Sequence, residues 1–174
     1  MSGSDNIGFS QGGNKKLEVT TTGITVTGTV SQTAPPAGSV LQVVSNTLTS
    51  GGTTTSSTMA ALGLSQAITP SSTSSKVYAL VTGGNGRTAD DVGTIFTIYR
   101  GSTDLNTGGD GMVILYTASA GASAFSWSMQ KLDSPSTTSA TTYSVYWRTR
   151  DNGNTSMNHW LGGETTITLM EIKG

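Results

Sequence analysis

The side chains with chemistry to offer are few: one histidine, some acids in Gly-rich stretches, and one strand of alternating aromatic and basic residues. His159 stands between Asn158 and Trp160. A Ser-His-Asp triad would need it as the base. No Gly-x-Ser-x-Gly elbow accompanies it, and a structural or binding role suits it better. Asp90-Asp91, Asp104 and Asp110 lie among glycines. Paired carboxylates serve glycoside cleavage, and loop carboxylates hold calcium. Asp and Asn also cap turns by bonding their own backbone, which is the preferred reading. Asp151-Asn-Gly-Asn154 lacks the spaced acids and closing Glu of a calcium loop. Gly83-Gly-Asn-Gly86 lacks the Gly-Lys-Ser/Thr ending of a phosphate loop. No residue is assigned a catalytic, cofactor-binding or metal-binding role. Along Thr141–Arg150, Tyr146, Arg148 and Arg150 take the parity opposite Tyr143, Val145 and Trp147. Aromatic and arginine side chains outside a core are good recognition groups. If Asn152-Gly153 turns a hairpin, His159 and Trp160 return beside them. These five form the candidate receptor-binding set.

Strands must position these residues, because helix signals are nearly missing. Ser, Thr and Gly dominate the 174 residues, and β-branched and aromatic residues cluster in short runs between turns. The runs are Val40–Val44, Leu64–Thr69, Lys76–Thr82, Val92–Arg100, Met112–Thr117, Ser123–Leu132, Thr141–Arg150, Thr155–Leu161 and Glu164–Ile172. Thr47–Met59 is an edge strand or a long loop. That spacing predicts a β-sandwich or jelly roll. Charged residues are 11% of the chain and the net charge is −1. No basic stripe exists to displace counterions from phosphates, so nucleic acid is excluded as a partner. No apolar run of about 18 residues is present to insert in a membrane. No secretory leader is expected at the N-terminus. Cysteine is absent, which removes disulfides and thiolate chemistry.

Ahead of this body lies Leu17–Val30, which alternates like a strand. Leu17 and Val19 share one face; Ile24, Val26 and Val30 share a face on the opposite parity, so the phase slips at Thr20–Gly23. Met1–Gly13 reads as a flexible or partner-docked lead-in, and Ala34-Pro-Pro-Ala37 as a stiff linker within Ser31–Gly38. A short Thr/Gly-rich ribbon cannot bury its apolar face alone; it needs a domain of its own or copies of itself. The body poses a similar problem. Lys76–Thr82, Ile95–Tyr99, Met112–Tyr116 and Ile167–Ile172 are apolar on both parities, whereas a small antiparallel sandwich usually keeps one sheet face wet. Another subunit is the economical cover. Leu17, Val19, Ile24, Val26 and Val30 are the candidate oligomerisation residues.

Several segments resemble bacteriophage fibre proteins, especially those of marine and cyanobacterial phages. Leu17–Val30 is similar to repeated segments of their trimeric shafts. Ser39–Val44, Ile68–Lys76 and Thr165–Ile172 resemble segments of their C-terminal head domain, in the same order. The resemblance implies a homotrimer on the outside of a virion, on tail or capsid, with residues 1–38 forming arm, β-stem and linker and residues 39–174 a jelly-roll-like β-sandwich head. It implies no enzyme and no cofactor. Its partners would be other virion proteins, through the N-terminal arm, and a host surface glycan or protein. Phage tail fibres usually carry a sizeable docking domain, where here Met1–Lys16 precedes the stem. A capsid decoration protein is therefore the alternative, and a small glycan depolymerase using the loop acids is a third.

Overall fold

In the computed structural model, which describes residues 7–11, 13–20, 22–27, 34–88, 91–118, 123–150, 153, 155–157 and 163–174, the phase slip at Thr20–Gly23 is the turn of a hairpin. β2 (Asn14–Thr20) and β3 (Gly23–Val26) pair antiparallel, with Thr20 opposite Gly23, Val19 opposite Ile24 and Leu17 opposite Val26. A two-residue turn pairs odd positions with even ones, so both apolar sets lie on one face. β1 (Ile7–Gln11) adds a third strand, with Ile7 opposite Val19 and Phe9 opposite Leu17. The lead-in expected over Met1–Gly13 thus contains a strand; alternation this short carries little signal without its partner. Val19, Ile24 and Val26 are exposed, Ile24 to 69%, and Leu17 is half-buried. Val30 lies outside the described residues. The chain divides into two units, Met1–Pro35 and Pro36–Gly174.

The second unit is two antiparallel sheets packed as a sandwich. Sheet I runs β4 (Val40–Leu48), β14 (Thr165–Ile172), β7 (Lys76–Thr88), β11 (Ser123–Asp133), with short β13 (Thr155–Met157) and β5 (Gly52–Thr54) extending it. Sheet II runs β6 (Ala60–Ile68), β12 (Thr141–Thr149), β8 (Gly93–Arg100), β10 (Val113–Tyr116), with β9 (Thr103–Asp104) on β8. Among the eight longer strands, the first pairs with the last, β4 with β14. Likewise β6 pairs with β12, β7 with β11 and β8 with β10. A long hairpin wound on itself gives this nested pairing, which is the jelly-roll arrangement.

The inner faces follow the period of two. Val77, Ala79, Val81, Ile167 and Leu169 from sheet I meet Leu64, Phe96, Ile98, Val145 and Trp147 from sheet II, all buried. Trp127 stacks on Phe96 with ring centroids 4.0 Å apart, and Trp147 lies 6.2 Å beyond Phe96. The glycines expected to end a strand at Thr82 lie inside β7 instead. A Cβ on Gly83 would overlap the Trp127 indole, and one on Gly86 would come within 2.7 Å of Leu115. The run Gly83-Gly-Asn-Gly86 therefore makes room for a tryptophan rather than a turn.

The hairpin expected across Asp151–Asn154 does not form. β12 pairs with β6 and β8, whereas β13 pairs with β5 and β7 in the other sheet. A turn signal reports that the chain reverses, not which sheet it rejoins. β14 covers β7 only from Lys76 to Gly83, and β13 takes the edge left at Gly86–Thr88.

Two buried carboxylates tie the framework together. Asp133, at the end of β11, accepts Arg100 Nη1 at 2.8 and 2.7 Å and the Tyr143 hydroxyl at 2.7 Å, linking sheet I to sheet II. Burial and the bond to Asp133 push the Tyr143 phenol above its ordinary value. Glu171 accepts from Ser71 N and Oγ at 2.7 and 2.6 Å and from Gln42 Nε2 at 2.7 Å. Burial opposes its charge, but the bonds from Ser71 and Gln42 outweigh burial and hold the carboxyl at about 2.

Gly83→Ala should cost roughly 1–3 kcal/mol through overpacking against Trp127, read as a lower midpoint in urea. Glu171 has a depressed folded pKa, so its contribution is complete above the ordinary value of 4.5 and is lost as pH falls toward about 2. Glu171→Gln should lower stability at neutral pH by roughly 2 kcal/mol and flatten the stability profile between those limits.

Candidate recognition surface

The outer face of sheet II is assembled in rows by cross-strand pairing. Tyr116 of β10 lies opposite Gly93 of β8, and Arg150, just past β12, donates its backbone N–H to Gly93 O at 2.8 Å. The next row is Ile114, Ile95 and Arg148. Beyond it Tyr146 lies opposite Thr97, and Ser144 opposite Tyr99. The sequence placed Tyr146, Arg148 and Arg150 on one parity of one strand, and the structure puts all three on this face. His159 and Trp160 lie outside the described residues. Because β13 joins sheet I, the hairpin that was to carry them back beside Tyr146 is absent.

Three further residues belong to the surface. Tyr99 stacks on Tyr146 with centroids 4.0 Å apart and planes inclined by 27°. Tyr116 is 45% exposed, as is Ile114. The Tyr116 hydroxyl donates to Asp91 Oδ1 at 2.9 Å. No sequence signal joins these residues to Tyr146, because neighbours across strands are far apart in the chain.

The described loop acids each have a partner. Asp104 Oδ1 accepts from Thr97 Oγ1 at 2.6 Å and from Asn106 N at 2.9 Å. Asp110 Oδ1 lies 3.0 Å from Arg148 Nη2. This is turn and strand-edge chemistry. Asp90 lies outside the described residues, and among the described residues no three His, Asp or Glu side chains converge. Burial, with Asp104 and Tyr146 close by, pushes the Tyr99 phenol up. The arrangement offers rings, guanidinium donors and carboxylate acceptors on an exposed sheet, which is equipment for recognising polar surfaces.

Neither any known family model nor any curated protein matches the chain.

Ile95 and Thr97 are buried although they point outward. The segment that begins at Asp104 covers them: Asp104 accepts from Thr97, and a Cβ on Gly111 would overlap Ile95. The two-sided apolarity of β8 therefore has an explanation within the chain, where a second subunit was expected.

A double-mutant cycle on Tyr99→Ala and Tyr146→Ala should return a coupling of about 0.5–1.5 kcal/mol in unfolding free energy, as for other stacked rings. Additive effects would show that the stack contributes nothing of its own.

Proposed function

We propose that this chain is a non-enzymatic structural protein of a bacteriophage virion, a homotrimeric fibre or spike whose head contacts a host surface receptor. The observation that carries the reading is uncovered apolar sheet surface in both units. On the outer face of sheet I, Val43, Met170, Tyr78 and Leu132 form one continuous row across four strands, and Val40 lies opposite Ile172 beside it. Val43 is 55% and Leu132 51% exposed. Contiguous exposed apolar surface marks an interaction site. The row gives way to Thr47, Thr166, Thr82 and Ser128 farther along the same face, so the patch is bounded.

The linker enters the head at the apolar end. Gly38 N donates to Lys173 O at 2.8 Å, and Lys173 N to Ser39 O at 2.9 Å. Copies joined through their N-terminal sheets would therefore hold these patches at high effective concentration. The exposed Val19, Ile24 and Val26 supply an apolar face for that joining. The resemblance of the stem and head segments to phage fibres supplies the number three and the place on a virion. The face carrying Tyr146, Arg148 and Arg150 belongs to the other sheet and would stay open to a receptor.

Multi-angle light scattering at micromolar concentration should give three times the 17.8 kDa of one chain. Ile24→Asp and Val26→Asp should shift that mass toward the monomer, and Val43→Asp should weaken the assembly further. A stable wild-type monomer would overturn the proposal.

A further inference from the structure

We propose that Tyr116, Arg150 and Asp91 form a binding site for the pyranose ring of a neutral glycan. This rests on the reading of the head as a receptor-contacting module and names the ligand class. Gly93 is the floor. A Cβ there would meet Arg150 Cβ at 3.1 Å and Tyr116 Cδ2 at 3.7 Å, so the Arg150 stem and the Tyr116 ring close over the glycine from opposite sides. Ile114 extends the apolar surface along β10 and is 45% exposed.

The three side chains match the chemistry of a sugar. A pyranose has a face of C–H groups and a rim of hydroxyls. The Tyr116 ring presents an exposed platform for the C–H face. Arg150 is exposed, and its guanidinium has no hydrogen bond or ion pair among the described residues. Its planar fork suits two adjacent hydroxyls. Arg148 differs, being held by Asp110. Asp91 Oδ1 is taken by the Tyr116 hydroxyl, which leaves Oδ2 to accept from a third hydroxyl.

The site is preorganised. Asp91 has φ of 56°, in the left-handed region that Asp adopts more readily than most residues. Its N–H donates to Thr117 O at 3.0 Å while its carboxylate accepts from the Tyr116 hydroxyl, so Asp91 holds the Tyr116–Thr117 segment at two points. Charge selects the ligand class. Asp91, Asp104 and Asp110 outnumber Arg148 and Arg150 among the described side chains of this face, so it carries no positive charge to attract a sugar acid. A shallow site of one ring and one fork binds weakly, and three copies on one fibre would raise the avidity.

Saturation-transfer NMR on the full chain tests this with methyl α-D-glucopyranoside, methyl α-D-mannopyranoside and methyl β-D-galactopyranoside, with methyl β-D-glucuronide as the acidic comparison. At least one neutral glycoside should bind saturably in the millimolar range. Affinity should fall about tenfold or more, a full 1.4 kcal/mol, in Arg150→Ala and in Tyr116→Ala. Ser45→Ala, at an exposed position of β4 on sheet I, should leave it unchanged. Tyr116→Phe keeps the ring and should retain part of the binding; it replaces Tyr116→Ala if that variant does not fold. Failure of all three neutral glycosides, preference for the glucuronide, or binding that survives Arg150→Ala overturns the site. Light scattering on the same sample separates the two proposals: a trimer that binds no glycoside loses the site alone, and a monomer that binds one loses the fibre reading alone.

Discussion

The head depends on one close approach, a tryptophan laid against bare backbone. Trp127 needs the space over Gly83 and Gly86, and in return it stacks on Phe96 of the facing sheet. Trp147 continues the series from the far strand. Rings this large fix the separation of two sheets that, among the described residues, no helix covers. With only 34% hydrophobic residues in the chain, a few large side chains must supply contact that many aliphatic ones supply elsewhere. The glycine run is the cost of that solution, since glycine weakens a strand that lacks such a reason for it.

Polar ties complete what the rings begin. The Arg100–Asp133–Tyr143 cluster joins the two sheets by charge-assisted bonds. Glu171 fastens the Ser71 segment to the last strand and to β4 through Gln42. Each carboxylate is buried with donors to spare, so each specifies one register: a slip by a single residue would move it to the opposite face. That matters here because strands of Ser, Thr and Val offer little else to distinguish one pairing from another.

Much of this was legible in the alternation of residues. Val145 and Trp147 face inward as their parity demands, and Tyr146, Arg148 and Arg150 face outward for the same reason, whereas Lys76–Thr82, apolar on both parities, leaves open whether Val77, Ala79 and Val81 or Tyr78 and Leu80 turn inward. What parity does not encode is the neighbour across the strand. Tyr116, Gly93 and Arg150 share a row, yet nothing in the sequence between positions 93 and 150 announces it. Nor does a glycine run encode the ring it makes room for. Gly83-Gly-Asn-Gly86 reads as a strand end when considered alone, because the ring that requires it lies forty residues later, at Trp127. The Asn-Gly at 152–153 reads as a hairpin for a comparable reason. In a nested jelly roll, strands adjacent in the chain often belong to opposite sheets, and local turn chemistry carries no information about that choice.

The two outer faces of the head differ in a way that bears on what each can do. Across sheet I the row Val43, Met170, Tyr78 and Leu132 holds no charged side chain, so covering it removes apolar surface from water and strands no ion. Across sheet II the outward row pairs Arg148 with Asp110 and leaves Arg150 in solvent. Burying that row against an apolar partner would strip water from three charges and return little for them. The face that loses least by being covered and the face that loses least by staying wet are thus on opposite sides of one core. The proposed fibre head would use that division, with one side for its own copies and the other for what it meets.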